Sequence, residues 1–411
     1  MSVYSKSLRE VVTILQQKDL KTTLLGIGPM SEIVIRATLE LARDMQFPVM
    51  FIASRNQVDS NELGGGYVMG WDQMAFSNAI SSIAEQIKFD GLLYLCRDHG
   101  GPWQRDNEKA DKLSLEDAMR KAKSSYLDDL KAGFNLLHID PTKDPHVSTV
   151  SMDNVIERTI ELIDYLEEQI QKLNLLPVSY EVGTEETAGG LISDSAFETF
   201  IEKLLNGLDK RSLPHPAFIV GQTGTLVKMN TNVGIFDAET ARNLCRIARK
   251  YGLGFKEHNA DYLSPEILKI HPELGITGAN VAPEFGLEET MALLKLAEMG
   301  SDSEFKETIQ KSAFECKRWK KWLFKEDTHL TEKEIANIPE KLAEITSVCG
   351  HYVFDRDDVQ EARRKLYKNV IEQKITDSPE TVLIDAVKAS IMKYVDAFNL
   401  KGINQNLKND Q

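Results

Sequence analysis

Residues 91–103 read Gly91-Leu92-Leu93-Tyr94-Leu95-Cys96-Arg97-Asp98-His99-Gly100-Gly101-Pro102-Trp103. The apolar half has no polar alternation, which is typical of a strand buried on both faces. The run then ends in an acid, an imidazole, two glycines and a proline. An acid and an imidazole can move protons or bind a metal, and glycine lets the backbone approach a ligand closely. We therefore expect chemistry where this strand ends.

Seven other apolar runs have the same form, and most are followed by a polar turn with glycine and then a helical pattern. In chain order, the eight runs cover residues 23–27, 49–53, 91–96, 135–139, 177–182, 217–220, 254–256 and 275–277. Eight alternations of strand and helix are what a (β/α)8 TIM barrel requires. The doubly wound open sheet lacks its signature, because no GxGxxG follows the first strand. We predict an α/β protein built on a TIM barrel.

From about Ser301 the strand signal stops and the sequence becomes helical and charged, with predicted helices at 304–325, 333–348, 359–371 and 381–398. We therefore predict a barrel carrying the site in residues 1–300 and a helical C-terminal extension in residues 301–411. The extension contains Arg318-Trp319-Lys320-Lys321-Trp322, which in isolation resembles a nucleic-acid patch. Because the chain is so acidic, we favour tryptophans packed on the barrel beside solvated lysines.

Composition excludes several classes of protein. The chain has 411 residues, a formal net charge of -14 and 42% hydrophobic residues, so a nucleic-acid or anionic-membrane partner is disfavoured. Its four cysteines are scattered without a CxxC, which favours a reducing compartment. The chain starts with no apolar signal core, and no apolar run reaches membrane-spanning length. We expect a cytoplasmic protein and a homo-oligomer, for which the helical extension is a candidate contact.

Histidines and carboxylates accumulate where the predicted strands end. Of the eight histidines, His99, His138 and His258 lie at such ends beside carboxylates. In a barrel all strands deliver their last residues to one rim, where barrel enzymes keep their active sites. Two imidazoles and a carboxylate from different strands make a divalent-metal site with open coordination positions. We expect His99, His258 and Glu185 as ligands of zinc, with manganese, nickel or magnesium as alternatives.

Other polar residues at the same ends suit a sugar. Amide side chains both donate and accept hydrogen bonds, as sugar hydroxyls require, and the candidates are Asn56, Gln57, Gln222, Asn259 and Asn280. The turns Gln222-Thr223-Gly224-Thr225 and Gly278-Ala279-Asn280 offer N–H groups for a phosphate, although such turns also occur for conformational reasons alone. Asp140 is expected to orient a metal ligand or hold a substrate hydroxyl. His138 either contacts substrate or is buried and structural.

At these residues the sequence resembles the GatZ/KbaZ family, known as accessory subunits of class II D-tagatose-1,6-bisphosphate aldolase. The motifs that carry the resemblance are Ser54-Arg55-Asn56-Gln57-Val58, Asp98-His99-Gly100-Gly101-Pro102-Trp103, His138-Ile139-Asp140, Tyr180-Glu181-Val182-Gly183-Thr184-Glu185, Gln222-Thr223-Gly224 and Glu257-His258-Asn259-Ala260-Asp261-Tyr262. The resemblance implies a TIM barrel related to metal-dependent ketose-bisphosphate aldolases and a role in tagatose or galactitol catabolism. Members also carry a tagatose-6-phosphate kinase label, and some relatives are described as 4-epimerases.

Two functions remain open. The first is retro-aldol chemistry on a ketose or ketose phosphate, in which the metal binds the C2 carbonyl and Asp98, Glu185 or Asp261 moves the C4 hydroxyl proton. The second is a non-catalytic accessory subunit that stabilises a separate aldolase subunit. A kinase ranks lowest, because the sequence has neither a GxxxxGK[ST] loop nor a kinase-like glycine loop with a partnered lysine.

Overall fold

Eight parallel strands form the centre of the computed structural model, which describes residues 6–183 and 193–408. The barrel strands are β1 (Leu24–Ile27), β2 (Val49–Ser54), β3 (Leu93–Gly100), β4 (Leu136–Ile139), β5 (Ser179–Gly183), β6 (Phe218–Val220), β9 (Gly254–Glu257) and β10 (Ile276–Val281). They close in the order β1-β10-β9-β6-β5-β4-β3-β2. The loop after β6 carries a small hairpin of β7 (Val227–Lys228) and β8 (Thr231–Asn232). The predicted TIM barrel is confirmed, and each predicted run contributes a strand.

Two strands run further than the sequence indicated. β3 continues through Asp98 and His99, and β10 continues to Val281. The segment Gly278-Ala279-Asn280, which we predicted to be a turn, is therefore part of a strand, and that prediction was wrong. The reason is tertiary, because Gly278 pairs with Leu24 and Asn280 pairs with Gly26 in the neighbouring strand. The pairing partner, β1, lies about 250 residues earlier in the chain, so the sequence around residue 278 does not reveal it.

The first helix closes one end of the barrel. α1 (Leu8–Gln17) begins at Ser7 with a capping box to Glu10. Its Arg9 guanidinium donates to the Pro216 carbonyl, just before β6. The Arg9 N–H donates to Ser179 Oγ at 3.2 Å, where β5 begins. A ligand must therefore enter from the opposite face, where the strands end.

Helices follow the barrel strands and surround them. They are α2 (Glu32–Met45), α3 (Gln73–Gln86), α4 (Asp106–Ala110), α5 (Leu115–Lys131), α6 (Met152–Leu173), α7 (Asp194–Asp209), α8 (Ala238–Lys250), α9 (Pro265–Leu274) and α10 (Pro283–Met299). Side-chain caps fix where several begin, since Ser114 accepts the Asp117 N–H and Asp237 accepts the Thr240 N–H.

The C-terminal part is helical, as predicted. Its helices are α11 (Ser303–Glu315), α12 (Glu332–Ala336), α13 (Pro339–Cys349), α14 (Asp357–Glu372), α15 (Pro379–Ala397) and α16 (Ile403–Lys408). The first is shorter than the predicted 304–325, because Lys317 has a left-handed φ of 57° and ends the helical path. A separate 3-10 turn, Arg318–Trp322, follows. Trp319 of this turn is 1% exposed, so it is packed, but the ring that it stacks on, Phe314, belongs to α11 of the extension and not to the barrel as predicted.

The C-terminal helices are anchored on the barrel. α15 packs against α2, α9 and α10, and Lys388 pairs with Glu40 at 2.6 Å. The Phe398 carbonyl accepts the Thr23 N–H at 3.2 Å, next to β1. The division at residue 300 stays a prediction. Within the described residues, no helix has both the length and the apolar character needed to cross a bilayer.

Candidate metal centre

Three imidazoles and two carboxylates meet at the end of the barrel where the strands finish. The ligand atoms of His99, His138 and His258 lie within 4.8 Å of one another. The ligand atoms of a second group, Asp98, His138, Glu181 and His258, also lie within 4.8 Å of one another. Because the residues come from β3, β4, β5 and the end of β9, four strands build one site. The structure thus brings together the three histidines that the sequence singled out.

An irregularity in β3 places two consecutive side chains in this site. Successive residues of a regular strand point to opposite faces, so Asp98 and His99 would normally diverge. Here the pairing of β3 with β4 shifts between Arg97 and Gly100. His99 also has a positive φ of 44°, a conformation that costs a non-glycine residue of the order of 1–3 kcal/mol. Such an irregularity redirects a side chain, and here it lets both residues reach the histidine group.

Asp140 fixes the orientation of His99. Its Oδ2 lies 2.8 Å from His99 Nδ1, and its Oδ1 accepts a hydrogen bond from the Thr142 hydroxyl. Burial opposes ionisation of Asp140, but the His99 hydrogen bond and the neighbouring His138 outweigh it and lower the pKa of this carboxyl below its ordinary value. A carboxylate on Nδ1 leaves Nε2 to face the centre. The expected orienting role of Asp140 agrees with this contact.

The end of β3, which carries His99, is held close to Asp140 by a glycine. Gly101 has a φ of 115°, and a Cβ there would lie 2.5 Å from the Asp140 carbonyl oxygen. A side chain at this position would therefore push the end of β3 away from the end of β4. Gly101 therefore allows the ends of β3 and β4, which carry His99 and Asp140, to pack closely.

Glu181 links the histidines to a buried lysine. Its Oε1 lies 2.8 Å from His258 Nε2, and its Oε2 accepts a 2.6 Å hydrogen bond from Lys256 Nζ. Burial would raise the pKa of Glu181, but Lys256 and His138 outweigh this effect and lower the pKa to about 2. The carboxylate is therefore ionised at neutral pH. Sequence reasoning assigned no role to either Glu181 or Lys256, although a charged residue within an apolar run was a signal that could have found both.

Asp98 lies among all three imidazoles. Its oxygens are 3.8 Å from His258 Nε2, 3.9 Å from His138 Nδ1 and 4.0 Å from His99 Nε2. Although burial alone would raise it, the pKa of Asp98 is held well below its ordinary value by His99 and His258. Asn280 donates to its Oδ1 at 3.1 Å. The structure thus places both Asp98 and Asn280, two predicted site residues, at the centre.

Asp261 has a different environment. Its Oδ1 accepts the backbone N–H groups of Ala282 and Glu284, at 3.0 Å each, and so caps the start of α10. Burial and the nearby Glu284 raise the pKa of Asp261 to about 7. This contact gives the residue a structural task at the helix terminus. Glu185 and Thr184 lie outside the described residues.

The remaining predicted residues line the loops, where several are already hydrogen-bonded. Thr223 Oγ1 donates to Glu257 at 2.9 Å, and Thr225 Oγ1 donates to the His258 carbonyl at 3.1 Å. Gly224 has a φ of 94°, and a Cβ there would lie 2.1 Å from the Ile235 carbonyl oxygen, so the turn requires glycine for its conformation. Gln222 is buried beside these residues.

The amides of the β2 loop and the residue after His258 also have internal partners. Asn56 Nδ2 donates to the Gln104 carbonyl at 3.2 Å, and Gln57 Oε1 accepts the Ser54 N–H at 2.7 Å. Asn259 has a φ of 60°, and its carbonyl accepts a hydrogen bond from the Asn232 side chain at 3.0 Å. These contacts set the shape of the loops around the centre.

Comparisons with solved structures agree with this architecture. A probable tagatose 6 phosphate kinase from Sinorhizobium meliloti 1021 is 20% identical, with a TM-score of 0.72 over 91% of this chain and 100% of that one. The fructuronate-tagaturonate epimerase UxaE from Cohnella laeviribosi is 13% identical, with a TM-score of 0.59 over 92% and 81%. Fructose-bisphosphate aldolase from Campylobacter jejuni is 13% identical, with a TM-score of 0.55 over 96% and 95%. At these identities the likeness shows the fold.

Sequence comparison is more specific. No curated protein sequence matches the chain. The family described as D-tagatose-1,6-bisphosphate aldolase subunit GatZ/KbaZ-like matches residues 8–378, which is nearly the whole chain. This match agrees with the resemblance seen in the motifs and with an aldolase-type barrel, and the protein therefore belongs to the GatZ/KbaZ-like family.

Proposed function

We propose that the protein is a metal-dependent ketose or ketose-phosphate aldolase or 4-epimerase. One observation carries the proposal, namely that the ligand atoms of three histidines lie within 4.8 Å of one another where the barrel strands end. His99, His138 and His258 would hold a divalent cation. His138 would be the third ligand, beside His99 and His258, which the sequence predicted. Glu185 stays a predicted metal ligand.

The charges of the site fit such a cation. Asp98, Asp140 and Glu181 bring three carboxylates to the site, against one ammonium on Lys256. With neutral imidazoles, as metal binding requires, the site has two excess negative charges. A buried excess of this size is costly unless a cation balances it. The His138 ring is buried, and its Nδ1 lies 3.8 Å from Glu181 and 3.9 Å from Asp98, so this ring nitrogen faces the carboxylates of the site.

The donor set suits zinc, since imidazole and carboxylate ligands with an open position are typical of catalytic zinc sites. Manganese, nickel and magnesium remain alternatives. When bound, the cation supplies Lewis-acid polarisation of the substrate C2 carbonyl.

Asp98 is the best-placed residue for moving the proton. It is ionised and lies within 4.0 Å of ring nitrogens of His99, His138 and His258, so it would adjoin the substrate hydroxyls. In the retro-aldol step it accepts the C4 hydroxyl proton, the C3–C4 bond breaks, and its electron pair passes to C3 as the enediolate forms. An aldolase releases the resulting aldehyde; the proton held by Asp98 then passes to C3 of the enediolate, which leaves as the second carbonyl product. A 4-epimerase re-forms the bond on the other aldehyde face and returns the proton from Asp98, which inverts C4.

The second candidate is the accessory subunit, which the family description as an aldolase subunit favours. Against it stands the close grouping of His99, His138 and His258 with Asp98 and Glu181, which a purely stabilising subunit does not need. A kinase remains the least supported function for want of a nucleotide-binding loop in the sequence. The cytoplasmic location and the homo-oligomer remain predictions.

The test is turnover of ketoses and ketose phosphates by purified, metal-loaded protein, with triose and epimer products measured separately. We expect the wild type to turn over at least one of these sugars, and His258→Ala to lose both metal and activity. His215→Ala is the matched control, because His215 pairs with Asp209 on the surface. The proposal fails if the wild type neither binds nor converts any of these sugars. If activity appears only on mixing with a separate aldolase subunit, the accessory function is correct.

A further inference from the structure

The 3-10 turn Arg318–Trp322 lies across the mouth of the barrel. On one side, Arg318 stacks over the Tyr67 ring at 4.6 Å, and Tyr67 belongs to the loop after β2. On the other, the Lys321 carbonyl accepts a 3.0 Å hydrogen bond from Lys228, and the Trp322 carbonyl accepts one from Met229. Both of these donors belong to the loop after β6. Because β2 and β6 lie on opposite sides of the closed barrel, the turn spans the face where the metal centre opens.

This turn brings two cations to the mouth. The Arg318 guanidinium and the Lys321 ammonium lie 5.2 Å and 5.5 Å from the centre of the Tyr352 ring. Lys321 is exposed, and the described residues offer its ammonium no carboxylate within 4.0 Å. Arg318 Nη1 is 3.7 Å from Asp106, and this buried nitrogen has no hydrogen-bond partner within the part of the chain that the structure describes. Two incompletely balanced cations on a chain with a net charge of -14 call for an anion.

Neighbouring polar groups also lack partners within the described residues. They are the hydroxyl of Tyr262, from the loop after β9, and both ring nitrogens of His351. His351 is 2% exposed, and its ring centre is 4.0 Å from that of Tyr352. Burial, Lys321 and Arg318 together lower the pKa of His351 to about 3, so the ring is neutral. The neutral His351 ring and the Tyr262 hydroxyl therefore add hydrogen-bonding groups and no charge. Among the described residues, the carboxylate nearest to Arg318 is that of Asp106, at 3.7 Å.

Stacking prepares the guanidinium for recognition. The rings of Tyr67 and Tyr352 lie 4.6 Å and 5.2 Å from the Arg318 guanidinium and restrict its plane. The Arg318 side chain is 29% exposed, and its buried Nη1 still lacks a hydrogen-bond partner among the described residues. A planar guanidinium pairs with phosphate or carboxylate through two parallel hydrogen bonds. Lys321 adds a second positive charge, which lies 4.9 Å from the centre of the Trp322 ring.

We propose that Arg318 and Lys321 bind the terminal oxyanion of an acyclic ketose, phosphate or carboxylate, while its carbonyl end reaches the histidines below. The second half of this statement rests on the proposed function. The oxyanion site itself does not, because it needs neither metal nor turnover. The C-terminal extension thereby selects for charged ketoses over neutral ones.

The first experiment is titration calorimetry of metal-free protein with inorganic phosphate. We expect Lys321→Met to weaken binding at least tenfold, whereas Lys320→Met leaves it unchanged. Lys320 is the adjacent control, because its ammonium is ion-paired with Glu332 at 2.5 Å. Arg318→Lys, which keeps the charge and loses the planar fork, is expected to weaken binding as well. Equal affinity in the wild type and Lys321→Met would overturn the proposal, even if the enzyme is active.

The second experiment compares a ketose phosphate, a keturonate and the neutral ketose as substrates. Lys321→Met should raise KM at least tenfold for the charged substrate with kcat nearly unchanged, and leave KM for the neutral ketose unaltered. The ketose phosphate and keturonate arms show which oxyanion the site accepts. Equal kcat/KM for neutral and charged ketoses in the wild type would contradict the proposal. If no sugar is turned over, the calorimetric result still decides whether the oxyanion site exists.

Discussion

Lys256 donates a 2.6 Å hydrogen bond to Glu181 inside the barrel, where both side chains are 1% exposed. Removing one member of a buried ion pair typically costs about 3–5 kcal/mol, because the remaining buried charge is no longer balanced. We therefore expect Lys256→Met to lower the free energy of unfolding by about 3 kcal/mol or more, as measured by urea denaturation.

The control is Lys250→Met, which breaks an ion pair with Glu198 at the surface. Water and salt screen such a pair, so this variant should lower the free energy of unfolding far less than Lys256→Met does. Equal losses in the two variants would show that the Lys256 charge is not needed inside the barrel.

Asp140 is expected to act through His99. Asp140→Asn keeps the shape of the side chain but removes the charge that holds His99 Nδ1 at 2.8 Å. Loss of such a partner commonly reduces metal affinity about 10–100-fold. Competition with a chelator measures this affinity, and Asp144→Asn, which breaks an ion pair with Arg158, is the control. Unchanged affinity in Asp140→Asn would mean that His99 does not bind the metal through Nε2.

Asp98 is expected to be needed for turnover more than for metal binding. Loss of a positioned acid or base typically reduces the rate about 10²–10⁴-fold. Asp98→Asn should therefore lower kcat at least about 10²-fold while the protein keeps its metal. Steady-state kinetics and metal analysis of the same sample measure the two quantities. If Asp98→Asn turns over normally, the proton passes through another group, and Glu185 becomes the first candidate.

Asp261 is expected to affect stability more than chemistry. Its pKa is about 7 in the folded chain against 3.8 for an unperturbed aspartate, so the fold favours the protonated form. The resulting stability is fully present below about pH 4 and is lost as the pH rises through 7. In Asp261→Asn the amide oxygen can still cap α10 without a charge.

Urea denaturation from pH 5 to pH 8 measures this effect. As the pH rises, the free energy of unfolding of Asp261→Asn should increase relative to that of the wild type, by at most about 1.4 kcal/mol per pH unit. The kcat of the variant should stay within a few-fold of the wild-type value. A loss of kcat as large as that of Asp98→Asn would instead make Asp261 catalytic.

Much of the fold could be predicted because it depends on local sequence. Apolar runs without polar alternation, each followed by a turn and a helix, identify barrel strands whatever their partners. The histidines could be predicted for the same reason, since a residue such as His99 at a strand end must reach the common rim. Glu181 and Lys256 were missed, because only the register between strands shows that they point into the barrel. The cap formed by Asp261 depends on the approach of α10. Likewise, the path of residues 318–322 over the mouth follows from loops more than 80 residues earlier in the chain.

The central claim is that one divalent cation is held by histidines from three strands. Anomalous diffraction at the absorption edge of the metal found in the purified protein tests it directly. We expect one strong peak, about 2.0–2.3 Å from ring nitrogens of His99, His138 and His258. A fully metal-loaded crystal with no anomalous peak among these three residues would contradict the account.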